Sequence, residues 1–284
     1  MGRVEGKVAL VTGAARGMGA SHAVTLAREG ADLVIFDCPG ELPTVPYGLG
    51  TREELDQVAA EVEKLGRRAV VVEGDVRSQA DLDRAVETAI SEFGRLDQLV
   101  ANAGIWTLAP SWEMSDDQWQ ETIDVNLTGT WHSVKAVFPH MRERETGSIV
   151  LISSINGIEG LPGAINYCAA KFGVLGVMKT TAMEGGPFNI RCNAILPGFI
   201  STPIHKWQGA YDFLAGKPGG TDADRLAAAP YYGVLKGRGP LDPVNVSNAV
   251  LYLLSDEAKD VTGIELPIDA GHTALPHFNP APVQ

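Results

Sequence analysis

The chain has 284 residues, 45% of them hydrophobic and 20% charged, with a formal net charge of −12 at pH 7. This composition suits a soluble globular protein with a sizeable core, and the acidic balance excludes the basic footprint that nucleic acid or an anionic membrane requires. No apolar run reaches the ~18 residues of a membrane span, and Cys38, Cys168 and Cys192 form no Cys-x-x-Cys pair, as expected of free thiols in a reducing cytoplasm.

Met1 to Lys7 lead straight into an apolar run, which leaves no room for a signal peptide. Met1-Gly2 fails as a myristoylation start, because Gly6 stands where Ser or Thr is needed. Seven short apolar runs predict strands: Val8–Val11, Leu33–Phe36, Ala69–Val72, Leu96–Ala101, Ser148–Ile152, Ile190–Ile195 and Ile264–Ile268. They lack polar alternation, the pattern of a parallel sheet buried on both faces. The helices between them have legible starts: Thr51-x-x-Glu54 and Ser115-x-x-Gln118 are capping boxes, and Ser78 with Asp81 is a weaker one. Strands alternating with helices predict an α/β fold, one doubly wound domain over residues 1–284 with helices on both faces of the sheet. Ligands bind such a sheet at its carboxyl edge.

Three stretches depart from this rhythm. Residues 39–50 carry three prolines and three glycines and form an insert after the second strand. Residues 202–243 read as a long irregular loop with Trp207, Tyr211, Phe213, Tyr231 and Tyr232, of the kind that covers binding sites. The tail, 273–284, is expected to lie extended on the surface.

The loop Thr12-Gly13-Ala14-Ala15-Arg16-Gly17-Met18-Gly19 follows a strand and opens a helix. Its glycines let backbone N–H groups approach a pyrophosphate, and the helix N-terminus favours negative charge. Asp37, ending the second strand, can accept both adenosine ribose hydroxyls of NAD and would repel the extra phosphate of NADP. Arg16 pulls towards that phosphate, but a carboxylate beside a group of nearly two charges should prevail, so the reading is NAD, with Arg16 at the pyrophosphate or solvated. Asp75-Val76 are positioned for the adenine. Asn102-Ala103-Gly104 give the backbone a small-residue wall beside the cofactor, with bracing of the sheet as the alternative role for Asn102.

Tyr167 and Lys171 stand four apart, on one face of a helix, and Ser154 precedes them. A phenol with a pKa near ~10 is a poor base at neutral pH, and a nearby ammonium should lower that value. Lys171 can also bind the nicotinamide ribose. Tyr167 can then exchange a proton with an alcohol or carbonyl oxygen while hydride passes to or from the nicotinamide, and Ser154 can donate a hydrogen bond to that oxygen.

With these motifs in place, the chain resembles the short-chain dehydrogenase/reductase family over nearly its full length. The match runs through the glycine loop, Asp75-Val76, Asn102-Ala103-Gly104, Asp124-Val125-Asn126, Ser154, Tyr167, Lys171 and Pro197-Gly198 with Thr202. The resemblance implies a Rossmann sheet with strand order 3-2-1-4-5-6-7 and a homotetramer. It implies that Asn126 completes a catalytic tetrad, bending a helix and holding a water behind the lysine. It also implies that Gly13, Arg16, Gly17, Met18, Gly19, Asp37, Cys38 and the 197–202 segment with Pro197, Gly198, Ile200 and Thr202 contact the cofactor.

Phe36-Asp37-Cys38 followed by the Pro-rich insert with Pro46-Tyr47, and Ser21-His22-Ala23 in the first helix, are similar to the carveol dehydrogenase-like branch. That branch is associated with the redox carrier mycofactocin, which implies that the insert covers the adenosine end and that a carrier recycles a retained NAD. The plain alternative is a surface insertion. Ile105, Trp106, Phe199, His205, Trp207 and Tyr211 are expected either to line a pocket for a small hydrophobic alcohol or ketone, or to be core or subunit contacts.

Overall fold

The computed structural model describes residues 2–275. The apolar runs become β1 (Val8–Thr12), β2 (Asp32–Asp37), β3 (Ala69–Glu73), β4 (Gln98–Ala101), β5 (Gly147–Ile152), β6 (Ile190–Pro197) and β7 (Glu265–Ile268). They form one seven-stranded sheet in the order β3-β2-β1-β4-β5-β6-β7, and every pairing is parallel. The fourth strand is shorter than expected, since Leu96 and Asp97 precede it.

The helices are α1 (Gly17–Arg28), α2 (Arg52–Lys64), α3 (Gln79–Phe93), α4 (Asp116–Ile123), α5 (Gly129–Glu143), α6 (Ile165–Gly185), α7 (Gln208–Ala215), α8 (Asp222–Ala228) and α9 (Pro243–Leu254). Successive strand residues point to opposite faces. Val8 and Leu10 of β1 join Ile149 and Leu151 of β5 in a core closed by Val134 and Met141 of α5 and by Val174 and Met178 of α6. Ala9 and Val11 join Val150 and Ile152 in a second core under α1, α2 and α9, with Leu26, Leu55 and Leu253. Two apolar layers explain the missing polar alternation, and burying each Leu or Ile contributes roughly 1.5–3 kcal/mol.

Both halves of the capping boxes at Thr51 and Ser115 are present. Ser78 caps α3 alone, because the Asp81 carboxylate accepts the Asp75 N–H at 3.1 Å instead. Residues 39–50 form neither helix nor strand, as expected. They are tied down by buried Leu42 and by Thr44, whose N–H and hydroxyl both donate to Glu121 of α4.

Two expectations need correction. Residues 202–243 are not one irregular loop, because they carry α7 and α8, the latter begun by a capping box from Thr221 to Asp224. These helices are only 8 and 7 residues long, and the glycines between them hide any periodicity. Thr273 and Ala274 are not extended either but sit in a 3-10 turn, where the Asp269 carboxylate accepts the Thr273 N–H at 2.8 Å and its hydroxyl at 2.7 Å. The rest of the expected tail, 276–284, lies outside the described residues.

Candidate active site

The carboxyl ends of the strands gather the sequence motifs along one edge. In the loop after β1, Gly13 has φ 66° and Gly17 φ 58°, left-handed values that suit glycine. A Cβ on Gly13 would come within 2.7 Å of the Ala103 Cα, and one on Gly19 would sit 2.0 Å from the Gly13 oxygen. The loop therefore presses against the end of β4 only because both are glycine. Arg16 leaves α1 without a capping side chain, so the first-turn N–H groups remain available to an anion.

Asp37 ends β2 with one carboxylate oxygen accepting the Ala15 N–H and the other the Cys38 N–H, each at 2.8 Å. Burial pushes its pKa up, while those N–H groups and Arg16 oppose the rise. Arg16 is partly exposed, and its guanidinium pairs with Glu54 of α2 at 3.3 Å. Much of its charge is therefore answered before any phosphate arrives. The Asp75 carboxylate is held by Arg77 at 2.6 Å, and burial, with Asp75 nearby, raises the Cys38 thiol.

Asn102 lines the cleft and braces the strand ends, its amide nitrogen donating to the Thr12 and Gly13 oxygens at 3.0 and 3.1 Å.

Ser154 follows β5, and α6 carries Tyr167 and Lys171 one turn apart. Lys171 is buried, its Nζ donating to the Ile152 oxygen at 2.9 Å and lying 5.6 Å from the Tyr167 ring centroid. The Ser154 Oγ accepts the Asn156 N–H at 3.1 Å and stands beside the Tyr167 phenol, where it favours the ionised form. Burial pushes Tyr167 up to about 12, against the downward pull of Ser154. Burial also brings Lys171 down to about 8. The expected lowering of the phenol by the ammonium does not govern this site; desolvation outweighs it, and the Nζ is engaged with a backbone carbonyl. Cys168, beside the tyrosine, is likewise raised by burial and is no activated thiol.

Between α4 and α5 the chain makes a π-helical turn, Asp124–Thr128. Fully buried Asn126 sits in it, accepting the Ile105 N–H at 2.8 Å and donating to the Ile105 oxygen at 2.9 Å. A Cβ built on Gly104 would lie 2.8 Å from the Asn126 Oδ1 and 3.6 Å from the Lys171 Nζ, so only a glycine lets these groups converge.

Two cavities meet at Tyr167. One runs from Asp37, Cys38, Asp75 and Val76 past Gly13, Arg16 and Gly17 to Ala103, Gly104 and Lys171. The other, about 540 Å³, is walled by Ser154, Trp106, Phe199 and His205, with Pro197, Gly198 and Ile200 at one side. Met18, Tyr167 and Thr202 border both. Gly19 and Asn126 line neither and act from behind the walls. Of the side chains anticipated at the pocket, Ile105 faces the first cavity, while Trp207 and Tyr211 are absent from the second wall. Trp207 packs behind Trp106 instead, with ring centroids 5.9 Å apart.

Three wall residues escaped the sequence reading. Tyr47 of the insert borders the first cavity and accepts the Trp106 N–H on its phenol oxygen at 2.8 Å. Glu159 and His272 border the second and pair at 2.7 Å. Both contacts span more than fifty residues of chain, and no local pattern announces them.

Known proteins agree with this geometry. The short chain dehydrogenase family pattern matches residues 7–210. The chain is 44% identical over 279 residues to (-)-trans-carveol dehydrogenase from Rhodococcus erythropolis, covering 96% of this chain and 99% of that protein. It is 39% identical over 274 residues to cyclopentanol dehydrogenase from Comamonas testosteroni, covering 96% of this chain and 100% of that one. The crystal structure of carveol dehydrogenase from Mycobacterium avium in complex with NAD superposes with a TM-score of 0.93 at 42% identity, covering 97% of this chain and 100% of that one. With its parallel sheet, glycine loop and Ser154, Tyr167 and Lys171 gathered at one edge, the chain belongs to the short-chain dehydrogenase family.

Proposed function

We propose that the protein is an NAD-dependent dehydrogenase that interconverts a hydrophobic, carveol-like secondary alcohol and its ketone. The observation that carries this reading is the position of Tyr167, among the described residues the one titratable side chain bordering both cavities, with Ser154 beside its phenol and Lys171 beneath its ring. NAD, when bound, supplies the hydride acceptor, and NADH the donor. Tyr167 holds the proton exchanged with the substrate oxygen, and Ser154 donates to that oxygen as its charge develops. Lys171 anchors the nicotinamide ribose, and Asn126 fixes the backbone of Ile105 beside it. Asp37 and the uncapped start of α1 suit NAD, and the Arg16–Glu54 pair argues against the extra phosphate of NADP.

The insert supports a finer reading, in which NAD stays bound and an external mycofactocin-like carrier recycles it. A Cβ on Gly50 would lie 3.1 Å from the Asp37 Oδ2, so the end of the insert rests against the adenosine side. Tyr47 spans to Trp106 at the other end. We further propose a cytoplasmic homotetramer of single-domain subunits, consistent with the exposed Trp131, Phe172 and Met183 on α5 and α6; sedimentation at a one-chain mass would contradict it.

The test is to purify the protein without added nucleotide, dialyse it, denature it and identify what is released by mass spectrometry. Near-stoichiometric NAD or NADH is expected. An empty site that binds NAD and releases it quickly would reduce the insert to a surface loop, and release of NADP would overturn the role given to Asp37.

A further inference from the structure

The second cavity holds a side chain that the hydride reaction does not use. His205, in the 3-10 turn Pro203–His205, is wedged between two rings, its centroid 5.4 Å from Trp106 and 5.1 Å from Phe199. Its Nδ1 lies 3.2 Å from the Ile200 carbonyl oxygen. A carbonyl oxygen only accepts, so Nδ1 carries the ring proton. Burial, with the Arg225 charge nearby, holds the imidazole at a pKa of about 4, so the ring is neutral at physiological pH and Nε2 presents a bare lone pair. His205 borders the second cavity, and its Nε2 is not among the sealed, unpartnered polar atoms, as the Nε2 of His22 is. His205 thus offers a neutral acceptor among the aromatic side chains Trp106, Phe199, Phe213 and Tyr232, while other polar groups of the lining, such as Asn156 and Glu159, belong to other segments of the wall.

That acceptor has no counterpart on the reacting carbon. The substrate oxygen already faces the Ser154 hydroxyl and the Tyr167 phenol, and in the ketone state it has no proton to give. An acceptor that serves both redox states must meet a second donor on the substrate.

Resting on the dehydrogenase reading above, we propose that His205 is a specificity-determining residue that accepts a hydrogen bond from a second hydroxyl of the substrate, making the preferred substrates cyclic hydroxyketones and the matching diols rather than monofunctional alcohols. Leaving a buried acceptor unmet penalises the ligand that lacks the hydroxyl, which is how polar groups in apolar pockets discriminate.

The test compares kcat/KM for reduction of cyclohexanone with that of its ring-hydroxylated derivatives, in the wild-type protein and in His205→Phe, His205→Gln and Glu159→Gln. The wild type is expected to favour at least one hydroxyketone by about tenfold, the value of one neutral hydrogen bond at the upper end of its range. His205→Phe fills the slot between the rings without an acceptor and should bring that ratio close to one, whatever happens to the absolute rates. His205→Gln, whose amide oxygen accepts, should retain part of the preference, and Glu159→Gln should retain all of it. A wild type without the preference, a His205→Phe ratio equal to wild type, or a preference lost in Glu159→Gln but kept in His205→Phe would each overturn the inference. If His205→Phe does not fold, the Gln ratio decides: some preference retained supports the assignment, and an unchanged or fully lost one overturns it. Turnover of the hydroxyketones and of cyclohexanone at equal rates would sink the inference alone. Failure of the enzyme with NADH in its site to reduce any ketone, even in a single turnover, would sink the dehydrogenase reading and the inference with it.

Discussion

Lys171 carries the sharpest physical tension in the molecule. It is 3% exposed, and burial lowers its pKa from 10.5 to about 8. A group whose folded pKa lies below its unfolded value binds fewer protons when folded, so stability rises with pH across that window. Below pH 8 the full cost of a buried ammonium is present. The shift corresponds to roughly 3 kcal/mol, from which about 1 is subtracted for the Ile152 carbonyl that Nζ satisfies. Lys171→Met should therefore stabilise the nucleotide-free protein by about 2 kcal/mol at neutral pH, seen as a higher melting temperature, while abolishing turnover. The gain should shrink as pH climbs from 8 towards 10.5. Calorimetry across that range checks it; a destabilised variant would mean that the lysine serves the fold. Tyr167 and Lys171 were legible as a pair because helical spacing is local, and Ser154 because it closely precedes them in the chain. The balance at the phenol was not, because desolvation depends on what the whole chain packs around it.

At the scale of elements, the insert is where sequence and structure complement each other. Its prolines and glycines announce a segment that is neither helix nor strand, and so it is. They do not say where it lands. Tyr47 reaches the Trp106 amide and lies 6.0 Å, ring to ring, from Trp207 at the start of α7, so one phenol joins the insert to the aromatic residues at and behind the second cavity's wall. Tyr47→Phe would leave the Trp106 N–H without that acceptor, a loss of about 1–2 kcal/mol for a buried donor. Release of NAD should accelerate about five- to tenfold, read by competition with labelled nucleotide; an unchanged rate would show that the insert does not hold the cofactor. The same reasoning explains why α7 and α8 were missed. Short helices draw their stability from packing rather than from their own pattern, and fully buried Ala210 of α7 is fixed by tertiary contacts.

For the whole molecule, the sheet order follows from two buried apolar faces and parallel crossovers, and those were readable in the seven strands. The convergence at one edge follows from that topology: β1, β2, β4, β5 and β6 each end on a residue or loop of the two cavities. What sequence could not reach are contacts between distant segments, such as Glu159 with His272 or Arg16 with Glu54, which close walls that local motifs leave open. The account as a whole stands on hydride passing between an alcohol in the second cavity and NAD in the first, through a site governed by Tyr167. The most direct measurement mixes the purified protein with carveol deuterated at the carbinol carbon, then denatures it and determines the mass of the released nucleotide. Wild type should yield NADH carrying one deuterium, and Tyr167→Phe should yield bound NAD without label. Unlabelled nucleotide from wild type, or equal labelling in Tyr167→Phe, would contradict it.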